Sequence, residues 1–419
     1  MDDSQPLGHR LRAIQDGSRT LALALALTIC SCASPEPQRL TPWPAADFSQ
    51  LTKSIAALRG LPFGRDIAFD DRSVKNGGIE AMRPRVEEYL GLPVLQVEQA
   101  YRSVGFLPYG ADLANALADY RRLEDLVSYD AASETVTVAG EAARLGAPFE
   151  KTHPRAARET PAVIGIIKAL QHHYFKWPAT IGSTDLEDRR LAFRALAVGD
   201  ALLTVIARAN NNEKLQLSSA DLTAARGMAA ELDKLGASLP GFLREQLSFP
   251  SREGVQFVNW AFTAIGWEGV NALYTHPPLT TAEIIHPEKY FIRRAGGLRI
   301  FPAGLIRFMG ASPILEQSFG ESSIRPLLAG EYGSKYAAEA AAGWRADQMF
   351  SFQTGSGAVT AWFSIWANEK QAREFYRSYR SALESAQRLR FQPASPNPDP
   401  LLTAFTRDRG AFLLQVEGA

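Results

Sequence analysis

The sequence predicts an α+β fold that is mainly helical, and three observations carry that expectation. Apolar residues recur at helical spacing through most of the chain, above all between residues 151 and 330. A short pair of alternating apolar segments, Leu126–Tyr129 and Thr135–Val138, flanks the turn-forming run Asp130-Ala131-Ala132-Ser133. Past residue 330 the order becomes helix, strand, strand, helix, strand, strand, which suits a small α+β layer packed on helices.

Taken in order, the first helical stripe begins near Phe48, with Leu51, Ile55 and Leu58 on one face. Further helical blocks are expected at Met82–Leu90, Val97–Val104 and Asp112–Leu126, the last with Leu113, Leu117 and Tyr120 turned inward. After the hairpin, Val163–Trp177 is apolar at 163, 166, 167, 170 and 174, one face of a helix. Asp185 to about Arg208 reads as a long helix whose acidic start suits the helix dipole. Leu222–Leu235, Gly241–Leu247, Gly254–Ile265 and Trp267–Leu273 continue the pattern, with a break at Gly266. Thr280-Thr281-Ala282-Glu283 has the form of a capping box. In the last part, Glu331–Trp344 is an alanine-rich helix, and Gln348–Gln353 and Ala358–Ala367 are strands. Glu369–Arg388 is a charged amphipathic helix, and Leu401–Arg407 with Ala411–Glu417 forms a final hairpin. No repeat of fixed period is present.

A chain of 419 residues, 46% hydrophobic and 21% charged, has room for two or three domains with a sizeable core. Lys plus Arg and Asp plus Glu both number 45, so no global field draws the chain to nucleic acid or to an anionic membrane, and nucleic acid is not expected as a partner.

The N-terminus is more specific. Arg10, Arg12 and Arg19 precede the apolar run Leu21–Ile29, which is too short to span a bilayer. A basic region, a short apolar region and then small residues make the layout of a secretory signal. The run ends in Ile29-Cys30-Ser31-Cys32-Ala33-Ser34, which resembles a bacterial lipobox. Cys32 fits better than Cys30, because bulky Ile29 precedes Cys30. The two cysteines are the only ones in the chain, so an exported domain has no internal disulfide to form and the thiol is expected to carry lipid. The plainer readings are a cleaved signal that happens to hold two cysteines, or a buried helix.

This gives residues 1–32 as a lipoprotein signal and 33–47 as a proline-rich tether. Residues 48–150 follow as a helical segment with the hairpin, 151–330 as a helical core, and 331–419 as a C-terminal α+β subdomain. The expected location is the cell envelope, held to a membrane by the N-terminal lipid and facing the periplasm or exterior. Ala33 is not the aspartate that often signals inner-membrane retention, so the outer membrane is slightly preferred.

The helix from Pro161 to Phe175 carries a resemblance. Aligned on Ala169-Leu170-Gln171, the run is similar to a helix that reads close to H-E-L-T-H-A-L-Q-D-Q-H-F in bacterial and archaeal surface proteins related to gluzincin metallopeptidases. Other stretches follow in the right order. Tyr129-Asp130 in the hairpin resembles G-Y-Y-D-P, and Arg194 to Ala201 resembles A-R-R-A-L-x-E-G-D-A. Pro240 to Pro250, Tyr274-Thr275-His276-Pro277-Pro278, Ile285-His286-Pro287-Glu288-Lys289-Tyr290 and Gly343-Trp344-Arg345-Ala346-Asp347 match similar runs. The resemblance implies a gluzincin-like helical core preceded by a hairpin along which a substrate would lie.

In an active relative, two histidines four apart bind zinc, a glutamate between them is the general base, and a glutamate on the next helix completes the ligands. Aligned on the quoted runs, the histidines fall on Ile164 and Lys168, the base on Gly165 and the third ligand on Val198. Isoleucine, glycine and valine have no donor and lysine is normally protonated, so the resemblance implies a degenerate member without zinc. No other cofactor is expected, and there is no G-x-S-x-G, P-loop or G-x-G-x-x-G. His172 and His173 are adjacent and point about 100° apart on a helix, so they cannot chelate one ion together. His276 and His286 sit beside prolines with no partner at metal spacing.

Tyr129, Lys168, His172 and Asp200 are the residues expected around the degenerate cleft. Lys168 is expected either to pair with Asp200, Glu187 or Asp188 in place of the metal, or to reach solvent. Three functions remain open. One is a non-catalytic anchored protein that binds a peptide, protein or cell-wall partner in the cleft. The others are a hydrolase with a relocated metal site or unrecognised chemistry, and a purely structural envelope protein with the cleft filled.

Overall fold

The computed structural model describes residues 45–72, 92–176, 186–210, 217–292, 298–355, 357–393, 402–405 and 411–416. The leader with Cys32, the tether to residue 44 and the helix expected at Met82–Leu90 lie outside the described residues.

Helix α1 (Ala45–Arg59) buries Phe48, Leu51 and Ile55, and begins inside the segment expected as tether. Strand β1 (Ala68–Arg72) follows, then α2 (Val94–Ser103) and α3 (Leu113–Glu124). The Asp112 side chain accepts the Asn115 amide and so caps α3. The expected hairpin is β2 (Val127–Asp130) against β3 (Thr135–Ala139). Sequence periodicity missed β1, which joins β3 in parallel to give the order β1-β3-β2. Its five residues, Ala-Phe-Asp-Asp-Arg, are too short and too acidic to read as a strand.

The helical core begins with α4 (Pro154–Phe175) and α5 (Glu187–Asn210). The chain starts α4 two turns earlier than its apolar stripe suggests, and carries Pro161 inside the helix. A proline there forfeits one bond to residue 157. Helix α6 (Ser219–Leu235) opens on a reciprocal capping box between Ser218 and Asp221. The segments expected between 241 and 273 form one helix, α7 (Gly241–Thr275), with a non-helical break at Ile265 and Gly266. Helices α5 and α7 cross closely: a Cβ on Gly199 would lie 2.3 Å from the Gly254 carbonyl oxygen, so only glycine fits there. The Thr280 hydroxyl caps α8 (Thr281–Ile285), while Glu283 reaches back to the Leu279 amide rather than to Thr280. Short helices α9 (Pro287–Phe291) and α10 (Ala303–Met309) follow.

The last layer starts at β4 (Leu315–Gln317) and continues with α11 (Gly320–Tyr332) and α12 (Ser334–Ala341). Strand β5 (Trp344–Thr354) begins where the alanine-rich helix was expected to end, because Trp344 pairs with Trp366. Strand β6 (Gly357–Trp366), helix α13 (Glu369–Gln387) and the strands β7 (Gln392–Pro393), β8 (Leu402–Phe405) and β9 (Ala411–Leu414) complete it. The sheets are β4-β5-β6 and β7-β8-β9, all pairs antiparallel. Pro37–Ala419 form one compact unit. The architecture is therefore the mainly helical α+β one that the sequence predicts. Among the described residues no helix is long and apolar enough to cross a membrane.

Candidate functional site

Helix α4 lies against the hairpin, and two of the four positions expected to be degenerate ligands, Gly165 and Lys168, sit along that contact. Gly165 faces β3: a Cβ there would meet Val136 Cγ1 at 2.2 Å. A valine occupies the space through which a side chain at 165 would leave the helix. Ile164, one residue earlier, is half-buried and packs on the core, as does Val198 on α5.

Lys168 is half-buried, and its Nζ donates to the Val127 carbonyl oxygen at 2.5 Å. The Ala139 amide donates to Leu126, so Leu126 and Ala139 form a hydrogen-bonded pair and the Val127 backbone points away from β3. Val127 thus presents its carbonyl on the open edge of the hairpin, where an added peptide strand would otherwise donate. Removal from water pulls the Lys168 amine below the usual lysine range, while Asp125 and Glu124 act to hold its proton.

The neighbouring charges form one network at the end of α3. Arg194 Nε meets Glu124 Oε1 at 2.8 Å, Arg121 pairs with the same carboxylate, and Arg194 also donates to the Tyr120 hydroxyl. Burial pushes the Glu124 carboxyl up, but Arg194, Arg121 and Lys168 together outweigh it and hold the group below the usual range. Arg194 lies one turn before Val198, so α5 brings a guanidinium to this end of α3.

The expected partnership of Lys168 with Asp200, Glu187 or Asp188 does not form. Asp200 is buried in a second network below the first, where Arg59 Nη2 stands 3.0 Å from Oδ1 and the Tyr274 hydroxyl donates to Oδ2 at 2.9 Å. Gln171 Nε2 donates to Asp200 at 3.3 Å and to the Ala197 carbonyl, Arg59 also donates to Asn271, and Trp267 covers the guanidinium at 4.3 Å. Glu187 pairs with Arg190, and Asp188 accepts from Thr281. Lys168 does not simply reach solvent either, since the hairpin edge takes its ammonium. Sequence reasoning missed Arg59, the residue that compensates Asp200; nothing in its own segment marks it, because its partner lies 141 residues away.

Of the four residues expected around the cleft, two come together directly. The rings of Tyr129 and His172 lie 5.8 Å apart, both half-buried. Lys168 stands one turn before His172, and Asp200 lies in the interior. These side chains do not fit a zinc ion: the helix positions offer an isoleucine, a glycine packed on Val136, and an ammonium already engaged. Among the described residues no group of three or more His, Cys, Asp or Glu side chains is placed to hold a metal. A cavity of about 230 Å³ opens instead at the N-terminal end of α4, lined by His153, Arg155, Glu159 and Arg208, with Glu159 paired to both arginines.

Residues 311–418 match a family model described as a domain of unknown function, DUF8575. No curated protein and no solved structure matches the chain. The match covers the C-terminal layer from just before β4 and leaves out α4 and α5. Within the DUF8575 region the centre is Asp347, buried and accepting from Trp344 Nε1 at 3.0 Å and Trp362 Nε1 at 2.9 Å. It also accepts from the Phe319 and Gly320 amides at 2.9 and 2.8 Å, and so caps α11 from outside the helix. Burial raises its carboxyl against those bonds. Beside it, Glu321 is fully buried and gathers His286 at 3.0 Å and Arg325 at 2.7 Å, with Lys289 at 3.7 Å. The runs Gly343 to Asp347 and Ile285 to Tyr290 thus hold the core to the C-terminal layer.

Proposed function

We propose that this chain is a lipid-anchored protein of the cell envelope whose metallopeptidase-like core performs no hydrolysis and serves to bind a partner along the hairpin. The observation that carries the reading is the Lys168 ammonium on the Val127 carbonyl, beside Gly165 closed by Val136. One lysine takes the place of a metal ligand and quiets the strand edge that would hold a scissile peptide. What remains at that face is the half-buried Tyr129–His172 pair, an aromatic and imidazole surface suited to a peptide, a protein loop or a cell-wall sugar.

A second reading has its own support. The filled space at Gly165 and the packed Ile164 and Val198 favour a purely structural role, with the helix kept for the core it builds.

Zinc stoichiometry of the full chain, measured by plasma mass spectrometry after loading and desalting, tests the shared part. The expected value is near zero; one retained zinc per chain with peptidase activity would overturn it. Crosslinking in intact cells from a photoreactive residue at Tyr129 separates the two readings. Defined adducts support partner binding, and their absence supports the structural role.

A further inference from the structure

Helix α10 buries none of its side chains. Phe308 on it is 86% exposed, and just before it Phe301 is 78% and Leu298 55% exposed. Large apolar groups left in water at one place mark an interaction surface. The Gln348 side chain accepts the Ile300 amide at 3.2 Å, and Gln348 stands opposite Phe363 in the β5–β6 register. Directly opposed residues share a sheet face, so the protruding segment borders the side of β6 on which Phe363 and Ile365 are also exposed. The apolar surface therefore spans two elements.

Its margin is cationic. Arg307 is exposed on the helix, and Arg299, its side chain 76% exposed, forms a long surface ion pair with Glu316 at 3.8 Å that water screens. Apolar tips that project outward from a short helix, with arginines at their base, suit a fluid apolar phase beneath anionic headgroups. We infer that the segment 298–309 and the adjoining face of β6 insert shallowly into an anionic bilayer. This deepens the membrane-anchored part of the proposed function: a lipid tether fixes distance from the membrane, and this surface fixes orientation.

The full chain with Cys30→Ser and Cys32→Ser has no thiol, since those are its two cysteines. Phe308→Cys in that background therefore takes a single environment-sensitive nitrobenzoxadiazole probe. Vesicles of phosphatidylethanolamine and phosphatidylglycerol should shift its emission to the blue, and the same probe at exposed Ser219 should stay unshifted. Adding Arg299→Gln and Arg307→Gln should raise the lipid needed for half-response about tenfold. Because the probe reports on position 308, vesicle binding through the apolar leader does not produce the signal. An unshifted probe at 308, or a shift that grows with protein concentration in the absence of lipid, overturns the inference; the latter identifies a second copy as the occupant. Mass spectrometry of the wild-type chain extracted from membranes reads the Cys32 anchor separately. Lipid on Cys32 with a silent probe sinks the surface alone, and a responsive probe with no lipid sinks the anchor alone.

Discussion

Lys168 on α4 donates to the carbonyl of Val127 on the open edge of the hairpin, 2.5 Å away and 41 residues earlier in the chain. The bond joins helix α4 to the edge strand of the hairpin. It satisfies a backbone acceptor that packing has already drawn partly out of water.

Lys168→Met should therefore destabilise the fold modestly, by about 1–2 kcal/mol. The ammonium leaves, the Val127 carbonyl loses its donor, and Glu124 keeps Arg194 and Arg121. Urea denaturation of the variant checks this; an unchanged midpoint would show that the edge bond contributes nothing.

Gly165→Ala should cost about 1–3 kcal/mol, since the new methyl group would overlap Val136. Val136→Ala in the same chain should recover part of that loss. A double-mutant cycle on thermal melting measures the coupling, and strict additivity would contradict the contact.

Arg59→Met should be among the most damaging single changes, costing about 3–5 kcal/mol, because the buried Asp200 would lose its cationic partner. Arg59→Met with Asp200→Leu should cost less than Arg59→Met alone. Chemical denaturation of both chains decides it, and equal losses would mean that the ion pair does not set the stability here.

Stability should fall as pH rises from about 4 to about 8, through Asp188. Burial lifts its carboxyl to about 8 against the Thr281 hydrogen bonds, with Asp347 and Glu283 adding to the rise. The folded chain then binds a proton that the unfolded chain releases near pH 4, so the contribution is complete at low pH and lost on passing the folded value. The slope from one such group reaches at most about 1.4 kcal/mol per pH unit. Asp188→Asn keeps an acceptor for Thr281 and should flatten the profile, and melting curves across that range read the difference.

Much of the fold was legible because it is local. The capped start of α3 at Asp112, the break of α7 at Gly266, the hairpin around Asp130 and the amphipathic α13 each follow from neighbouring residues. Strand β1 was not legible, since its partner β3 lies more than sixty residues away and its own residues carry no alternation. The early start of α4 was hidden by Pro161, which sequence reasoning takes for a first-turn residue. That Ile164, Gly165, Lys168 and Val198 offer no ready zinc donor could be read from residue type.

The sequence by itself determined which chemistry these helices can support, because a side chain either carries a donor atom or does not. Only the tertiary structure decided where the surviving charges go. Lys168 turns to a strand edge, Asp200 takes Arg59 from the first helix, and Val136 fills the space beside Gly165. Each of those outcomes depends on distance and burial between segments far apart in the chain. A buried charge takes the partner that packing brings within reach, and residue spacing along one helix does not record which partner that is.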